Sequence, residues 1–324
     1  VSEEQRTLVT GGAGMIGQAV VRRLLADGRA VRVADQREAP AWMREHCEIE
    51  RGDLRDRTLA ERSSANVSHV IHLAAIVGGI GNFHRYPHTL LEANNALTAA
   101  LVRGALAADV ERFTYVSSSM VFERAFRFPT PESHLQECPP PHSAYGFSKL
   151  AGEVYCRAAY EEHGLRYTIC RPFNAYGPGE SPEQEPGIAH AVPDLIAKVL
   201  SGQRPLQIFG AGSQTRTLTH VADIAAGILA ATFSPAGLGE DFNISAEREL
   251  TVQQIATIIW RACGEDPSEL AFEHVQSFPV DVQRRWPSVE KARTQLGWAA
   301  QVPLEEGIAE TVAWLRERQG AQAR

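Results

Sequence analysis

The stretch Thr10-Gly11-Gly12-Ala13-Gly14-Met15-Ile16-Gly17 restricts what this chain can fold into more than any other. Apolar Leu8 and Val9 lead into it, and Ile16, Val20, Val21, Leu24 and Leu25 follow at helical spacing. A strand, a glycine turn and a helix in that order open a doubly wound α/β fold and form its phosphate-binding corner. Without Cβ atoms, Gly11 and Gly12 permit a tight turn and let the backbone approach a pyrophosphate. Gly17 lets the helix close on the strand, and the helix N-terminus offers unpaired N–H groups to the anion. A loop rich in glycine for its geometry alone is the plain alternative. Against it stands Val31-Arg32-Val33-Ala34-Asp35, a second strand ending in an acid. Asp35 lies near the spacing of ~20 residues at which a carboxylate accepts from both hydroxyls of an adenosine ribose. The expectation is a dinucleotide site on Gly11, Gly14, Met15, Ile16, Gly17 and Asp35.

The rest of the first half keeps the same rhythm. Cys47–Arg51 reads as a short strand closed by Gly52-Asp53-Leu54. Two readings stand for Asp53: its carboxylate accepts from an adenine amino group, or it caps the helix that begins near Asp56. Val67–Ala75 is a continuous apolar strand of the kind buried on both faces, and small Ala74 and Ala75 at its end leave room for a cofactor. A helix over 89–108, a strand at Phe113–Val116, a helix over 144–163 and a strand at Tyr167–Cys170 follow. Alternating strands and helices imply a parallel sheet that binds ligands beyond the carboxyl ends of its strands. After Arg171 prolines and glycines mark a long irregular passage. We therefore expect a dinucleotide-binding domain at 1–173, with 219–245 returning to it, and a smaller lobe from 174–218 and 246–324, which takes in the helices near 252–263, 288–296 and 304–316.

Composition narrows the partners. The 324 residues carry a net charge of −7 with both signs interspersed, so there is no basic footprint for nucleic acid or an anionic membrane. No apolar run approaches the ~18 residues of a membrane span. The polar start, Val1 to Arg6, does not read as a signal peptide. Five cysteines, odd in number and without a CxxC pair, suit reduced thiols in a cytoplasmic protein. No metal site is expected from the eleven scattered histidines.

Tyr145-Gly146-Phe147-Ser148-Lys149 is the second strong signal. A spacing of four puts tyrosine and lysine on one helix face, a turn apart. A tyrosine titrates near ~10, so a phenolate at neutral pH needs roughly 4 kcal/mol of stabilisation. A neighbouring ammonium and a nicotinium charge can supply it, and the phenolate then acts as a base on an alcohol. An ordinary surface Tyr/Lys pair is the alternative. Ser118, in Ser117-Ser118-Ser119 after the fifth strand, would bond the same substrate oxygen or merely form a turn.

Taken together, these residues resemble the extended short-chain dehydrogenase/reductases, specifically the NAD-dependent nucleotide-sugar epimerase/dehydratase family. The resemblance rests on Thr10–Gly17, Asp35, Gly52-Asp53-Leu54, His72–Ala75, Ser117–Ser119, Tyr145–Lys149 and Arg171-Pro172-Phe173-Asn174. Gln214-Thr215-Arg216, Thr219–Ile224 and Leu296-Gly297-Trp298 extend it over nearly the whole chain. It implies a Rossmann lobe holding NAD, a second lobe clamping a nucleoside diphosphate sugar, and a homodimer joined through the helices near Thr89 and Ala144. By the same resemblance, Tyr145, Lys149 and Ser118 are catalytic, with Asp53, Leu54, Ala74 and Ala75 on the cofactor. Ser118, Ser119, Asn174, Arg216 and an arginine of the Arg284-Arg285 pair, taken as Arg285, face the substrate, and Gln207–Gly210 lies along the base. Gly78 and Gly79 resemble the substrate-side loop of GDP-sugar enzymes or form a flexible turn. Where relatives carry an acid or a cysteine after the serines, this chain has Met120, whose thioether moves no proton. That favours 4-epimerisation through a transient keto sugar. A GDP-sugar epimerase/reductase-like enzyme, a net NAD(P)-dependent sugar oxidoreductase and a non-catalytic dinucleotide-binding module remain the alternatives.

Overall fold

The computed structural model describes residues 6–77, 86–182, 190–276 and 282–322. Its centre is a seven-stranded parallel sheet of β1 (Thr7–Thr10), β2 (Val31–Asp35), β3 (Glu48–Arg51), β4 (His69–His72), β5 (Arg112–Val116), β6 (Tyr167–Pro172) and β11 (Asp241–Ile244). Their order across the sheet is β11-β6-β5-β4-β1-β2-β3. The inner strands β1, β2, β5 and β6 are buried along their whole length, as strands covered by helices on both faces must be. Edge strand β3 instead carries Glu48, Glu50 and Arg51, which keep an unpaired edge in water. This is the Rossmann-type architecture expected. The apolar run at 67–75 is shorter as a strand than its sequence suggests, since the chain leaves the sheet after His72 and turns toward the ligand side.

Helices cover both faces. On one, α3 (Arg57–Ser64), α4 (Pro87–Ala107) and α5 (Ala144–His163) share a core with Phe113 and Tyr115. On the other, α1 (Met15–Ala26) packs with α7 (Val221–Phe233), and α2 (Ala41–His46) adds Met43. Helix α9 (Glu290–Leu296) and Trp298, expected in the smaller lobe, pack on this second face: Ala292 and Trp298 join the core with Ile228 and Ile244. A third core collects α6 (Ala191–Leu200), β8 (Leu206–Phe209), α8 (Val252–Ala262) and α10 (Leu304–Gln322) around Trp260. Three short two-stranded pairings stiffen this side: β7 (Ala175–Tyr176) with β10 (Thr219–His220), β9 (Thr215–Thr217) with β12 (Glu249–Thr251), and β8 with β13 (Phe272–Val275).

Two features hold α5 against the sheet. Gly152 is where α5 crosses β5, and a Cβ there would fall within hard contact of the Tyr115 hydroxyl and ring carbon Cζ. Beyond it, buried Glu153 accepts from Ser117 Oγ at 2.7 Å and from Arg171 Nε and Nη2 at 2.7 Å each. Arg171 reaches on to Asp241 at 2.6 Å, tying α5, β6 and β11 together through a paired charge network. Among the described residues no helix is long and apolar enough to cross a membrane, and all five cysteines are free thiols.

Candidate active site

The glycine corner is built as a cradle. Gly11 has φ +70°, and a Cβ on it would lie 2.7 Å from the Ala74 nitrogen. A Cβ on Gly17 would lie within hard contact of the Gly11 carbonyl oxygen, so only glycine lets α1 start against this turn. Asp35, buried at the end of β2, accepts the Ala13 N–H at 3.0 Å and thereby holds the turn itself. Its other oxygen accepts the Arg37 N–H at 2.9 Å, and the exposed Arg37 guanidinium lies over Gly14. These residues fit a dinucleotide: a backbone-lined turn for the pyrophosphate, and an acid for the ribose with a displaceable arginine beside it.

The remaining cofactor-side residues divide. Met15 and Ile16 line the cavity described below, and the Ala74 N–H is steadied by Thr10 Oγ1 at 3.3 Å. Ala75 lies just past β4 without regular structure. Leu54 turns its side chain into the core rather than outward. Asp53 does not cap α3; Asp56 does, accepting the Thr58 N–H at 2.8 Å. The Asp53 carboxylate is instead clasped by Arg55, which holds it below the usual carboxylate range.

Tyr145, Lys149 and Ser118 do come together. Ser143 caps α5 by accepting the Gly146 N–H at 3.0 Å, and Glu123 fixes Ser143 through its N–H at 2.9 Å and hydroxyl at 3.0 Å. That anchor points the first turn of α5 inward. Lys149 Nζ donates to the carbonyl of Val116, the last residue of β5, at 2.9 Å. Ser118 accepts the Met120 N–H at 3.2 Å and hydrogen-bonds the Tyr145 side chain, so it serves as both turn former and tyrosine partner. Burial pushes Lys149 down to about 8, while Glu153, a turn further along α5, opposes that shift. Burial raises the Tyr145 phenol; the Ser118 bond and the charge of Arg285 act the other way.

A cavity of about 350 Å³ runs from Met15 and Tyr145 to Gln207 and Phe209 between the two sides of the molecule. Ser119, Asn174, Arg216 and Arg285 line it. Arg285 donates to Asn174 Oδ1 at 3.4 Å and touches the Met120 sulfur, whereas Arg284 pairs with Glu249 and lies outside. Asn174 has φ +37° and donates to the Thr217 carbonyl at 2.9 Å. Arg216 donates to the Val282 carbonyl at 2.6 Å. Gly78 and Gly79 lie outside the described residues.

One further group carries no signal in the sequence. His190, also on the cavity wall, pairs through Nδ1 with Glu180 at 2.6 Å. Burial would lower its pKa, but the Glu180 bond and charge outweigh this and raise it, despite Arg285 nearby. Neither residue sits in a recognisable local motif, and 10 positions separate them.

The family described as NAD dependent epimerase/dehydratase matches residues 7–245. The chain belongs to that family. It is 32% identical to the UDP-glucose 4-epimerase of Mycolicibacterium smegmatis, over 97% of this chain and 99% of that one. With the GDP-mannose 3,5-epimerase 1 of Oryza sativa subsp. indica it shares 28% identity over 98% of this chain and 83% of that one. DesIV, a dTDP-glucose 4,6-dehydratase of Streptomyces venezuelae solved with NAD bound, superposes with a TM-score of 0.86 at 29% identity, covering 98% of each chain. NAD is accordingly this enzyme's cofactor. The three names cover three nucleotides and three reactions, so family membership leaves both open.

Proposed function

We propose that this family member is an NAD-dependent 4-epimerase of a nucleoside diphosphate sugar, acting by transient oxidation with no net redox. Met120 carries the reading: where a second acid or base would stand after the serines there is a thioether, so proton transfer at the oxidised carbon falls to Tyr145. Held at the Gly11–Gly17 corner and Asp35, NAD would supply a reversible hydride acceptor for the carbinol carbon, and inversion would follow from hydride return to the other face of the keto sugar. Tyr145 Oη takes the hydroxyl proton and later returns it, while Ser118 hydrogen-bonds the same oxygen. Lys149 supplies positive charge to the phenolate. Asn174, Arg216 and Arg285 hold the diphosphate, where arginine's planar fork suits phosphate oxygens. The working unit we propose is a homodimer through α4 and α5.

His190 with Glu180 favours a second reading, in which the keto sugar also loses a proton from the carbon beside the ketone, as in the GDP-sugar epimerase/reductase-like alternative. One experiment separates the two. The enzyme is run on UDP-, dTDP- and GDP-sugars in D2O, and products are read by NMR. A 4-epimer without carbon-bound deuterium supports the first reading; deuterium beside the oxidised carbon supports the second. Stoichiometric release of reduced cofactor would overturn both.

A further inference from the structure

We infer that the base end of the cavity selects guanine, through Asp194 and Lys198 on α6; the inference rests on the nucleoside-diphosphate-sugar reading above. The two side chains lie a helix turn apart with Oδ2 and Nζ 2.7 Å from each other. An i,i+4 pair of this kind usually stands in water. Here the side chains are only 19% and 12% exposed, and both line the cavity. Lys198 Nζ also reaches the Gln207 carbonyl at 3.4 Å and lies 5.0 Å from the centre of the Phe209 ring, on the β8 stretch expected to run along the base.

Neighbouring amide groups are already engaged. Gln207 Nε2 donates to Glu273 at 2.8 Å and Gln214 Nε2 to the Phe209 carbonyl at 2.9 Å. Among the described residues Asp194 Oδ1 receives no hydrogen bond, and Lys198 has three donors for two acceptors. The wall therefore presents one cationic donor beside a two-oxygen acceptor. Guanine matches that order along one edge: O6 accepts from Lys198, and N1–H and N2–H donate to the two carboxylate oxygens. Uracil and thymine present a single N–H between two carbonyls, so the second carboxylate oxygen would face a carbonyl. Adenine presents a donor and an acceptor in the reverse order. A buried charged group left facing a like partner is what makes such a site discriminate.

The test is calorimetric titration of the full chain, saturated with NAD, with GDP, IDP, UDP and dTDP. IDP keeps O6 and N1–H and lacks only the 2-amino group. GDP is expected to bind roughly tenfold to a hundredfold more tightly than IDP, UDP or dTDP, the usual effect of one unmatched polar group. Asp194→Ala should bring GDP and IDP to equal affinity, and Asp194→Leu, which also has no acceptor, should do so if the alanine variant fails to fold. Lys198→Met should weaken GDP and IDP alike. UDP or dTDP binding as tightly as GDP, or a GDP/IDP ratio unchanged in both Asp194 variants, overturns the inference while the nucleotide-sugar reading stands. Failure of every nucleoside diphosphate to bind an NAD-loaded enzyme overturns both.

Discussion

Lys149 is a buried cation in the resting fold, and its surroundings separate its cost to stability from the catalytic role proposed for it. Burial lowers its pKa from 10.5 to about 8, with Glu153 opposing. Between those values the unfolded chain holds a proton that the folded chain does not, so folding gains stability as pH rises through that window. Below about 8 the charged lysine is a net burden on the fold. Lys149→Met should therefore raise the melting temperature at neutral pH while slowing turnover. Its rate should partly recover at high pH, where the phenol ionises unaided. Tyr145→Phe should keep the fold and bind NAD, lose roughly 10²–10⁴-fold in rate, and gain nothing from alkali. Rate and melting temperature against pH for both variants check this. Near-native turnover by the phenylalanine variant would remove Tyr145 from the mechanism. Asp35 shows the limit of reading residues singly: the acid expected to serve a ribose also fastens the glycine turn through the Ala13 N–H.

Helix α5 depends on how closely it approaches β5. Tyr145 and Lys149 reach the strand ends because Gly152, a turn beyond the Tyr145–Lys149 face, lets Tyr115 lie against the helix. Gly152→Ala places a methyl on the Tyr115 hydroxyl, so the helix or the ring must move. Forcing a methyl into such packing costs about 1–3 kcal/mol. We expect a matching loss in denaturant midpoint together with slower turnover, and partial rescue of both by Tyr115→Leu, which removes the ring carbon Cζ as well as the hydroxyl that the methyl would meet. A variant as stable and active as wild type would show that the contact does not set the helix position. The spacing of Tyr145 and Lys149 is visible in the sequence, but this dependence is not, since Tyr115 and Gly152 meet only through the β5–α5 crossing.

Over the whole molecule, α5 leaves Phe147, Val154 and Tyr155 exposed although its opposite face is buried against the sheet and α4. Val154 and Tyr155 follow Phe147 by two helix turns, so the three share one outward stripe. Water-facing apolar stripes of this kind suit a two-fold pairing of the helix pair with its copy. Light scattering at micromolar concentration should give a dimer, and Val154→Asp should shift it toward monomer with the far-UV spectrum unchanged. A wild-type monomer would end the proposal.

Sequence alone determined the parallel sheet, the order of its elements, the glycine corner and the Tyr145–Lys149 pair, because each of these is local. A turn requires glycines at adjacent positions, a buried strand requires a continuous apolar run, and a helix face recurs every three to four residues. Periodicity could not say that α9 packs on the sheet, since an apolar face does not name the surface that covers it. Nor could spacing choose Arg285 over Arg284, which differ only in the side of the chain they leave. Pairings between distant segments, such as Glu153 with Arg171 and Asp241, arise where strands and helices cross in three dimensions. Glu180 and His190, 10 positions apart, likewise meet only in three dimensions. The linear pattern sets the backbone of this protein; which side chains face one another across the cavity is decided by packing.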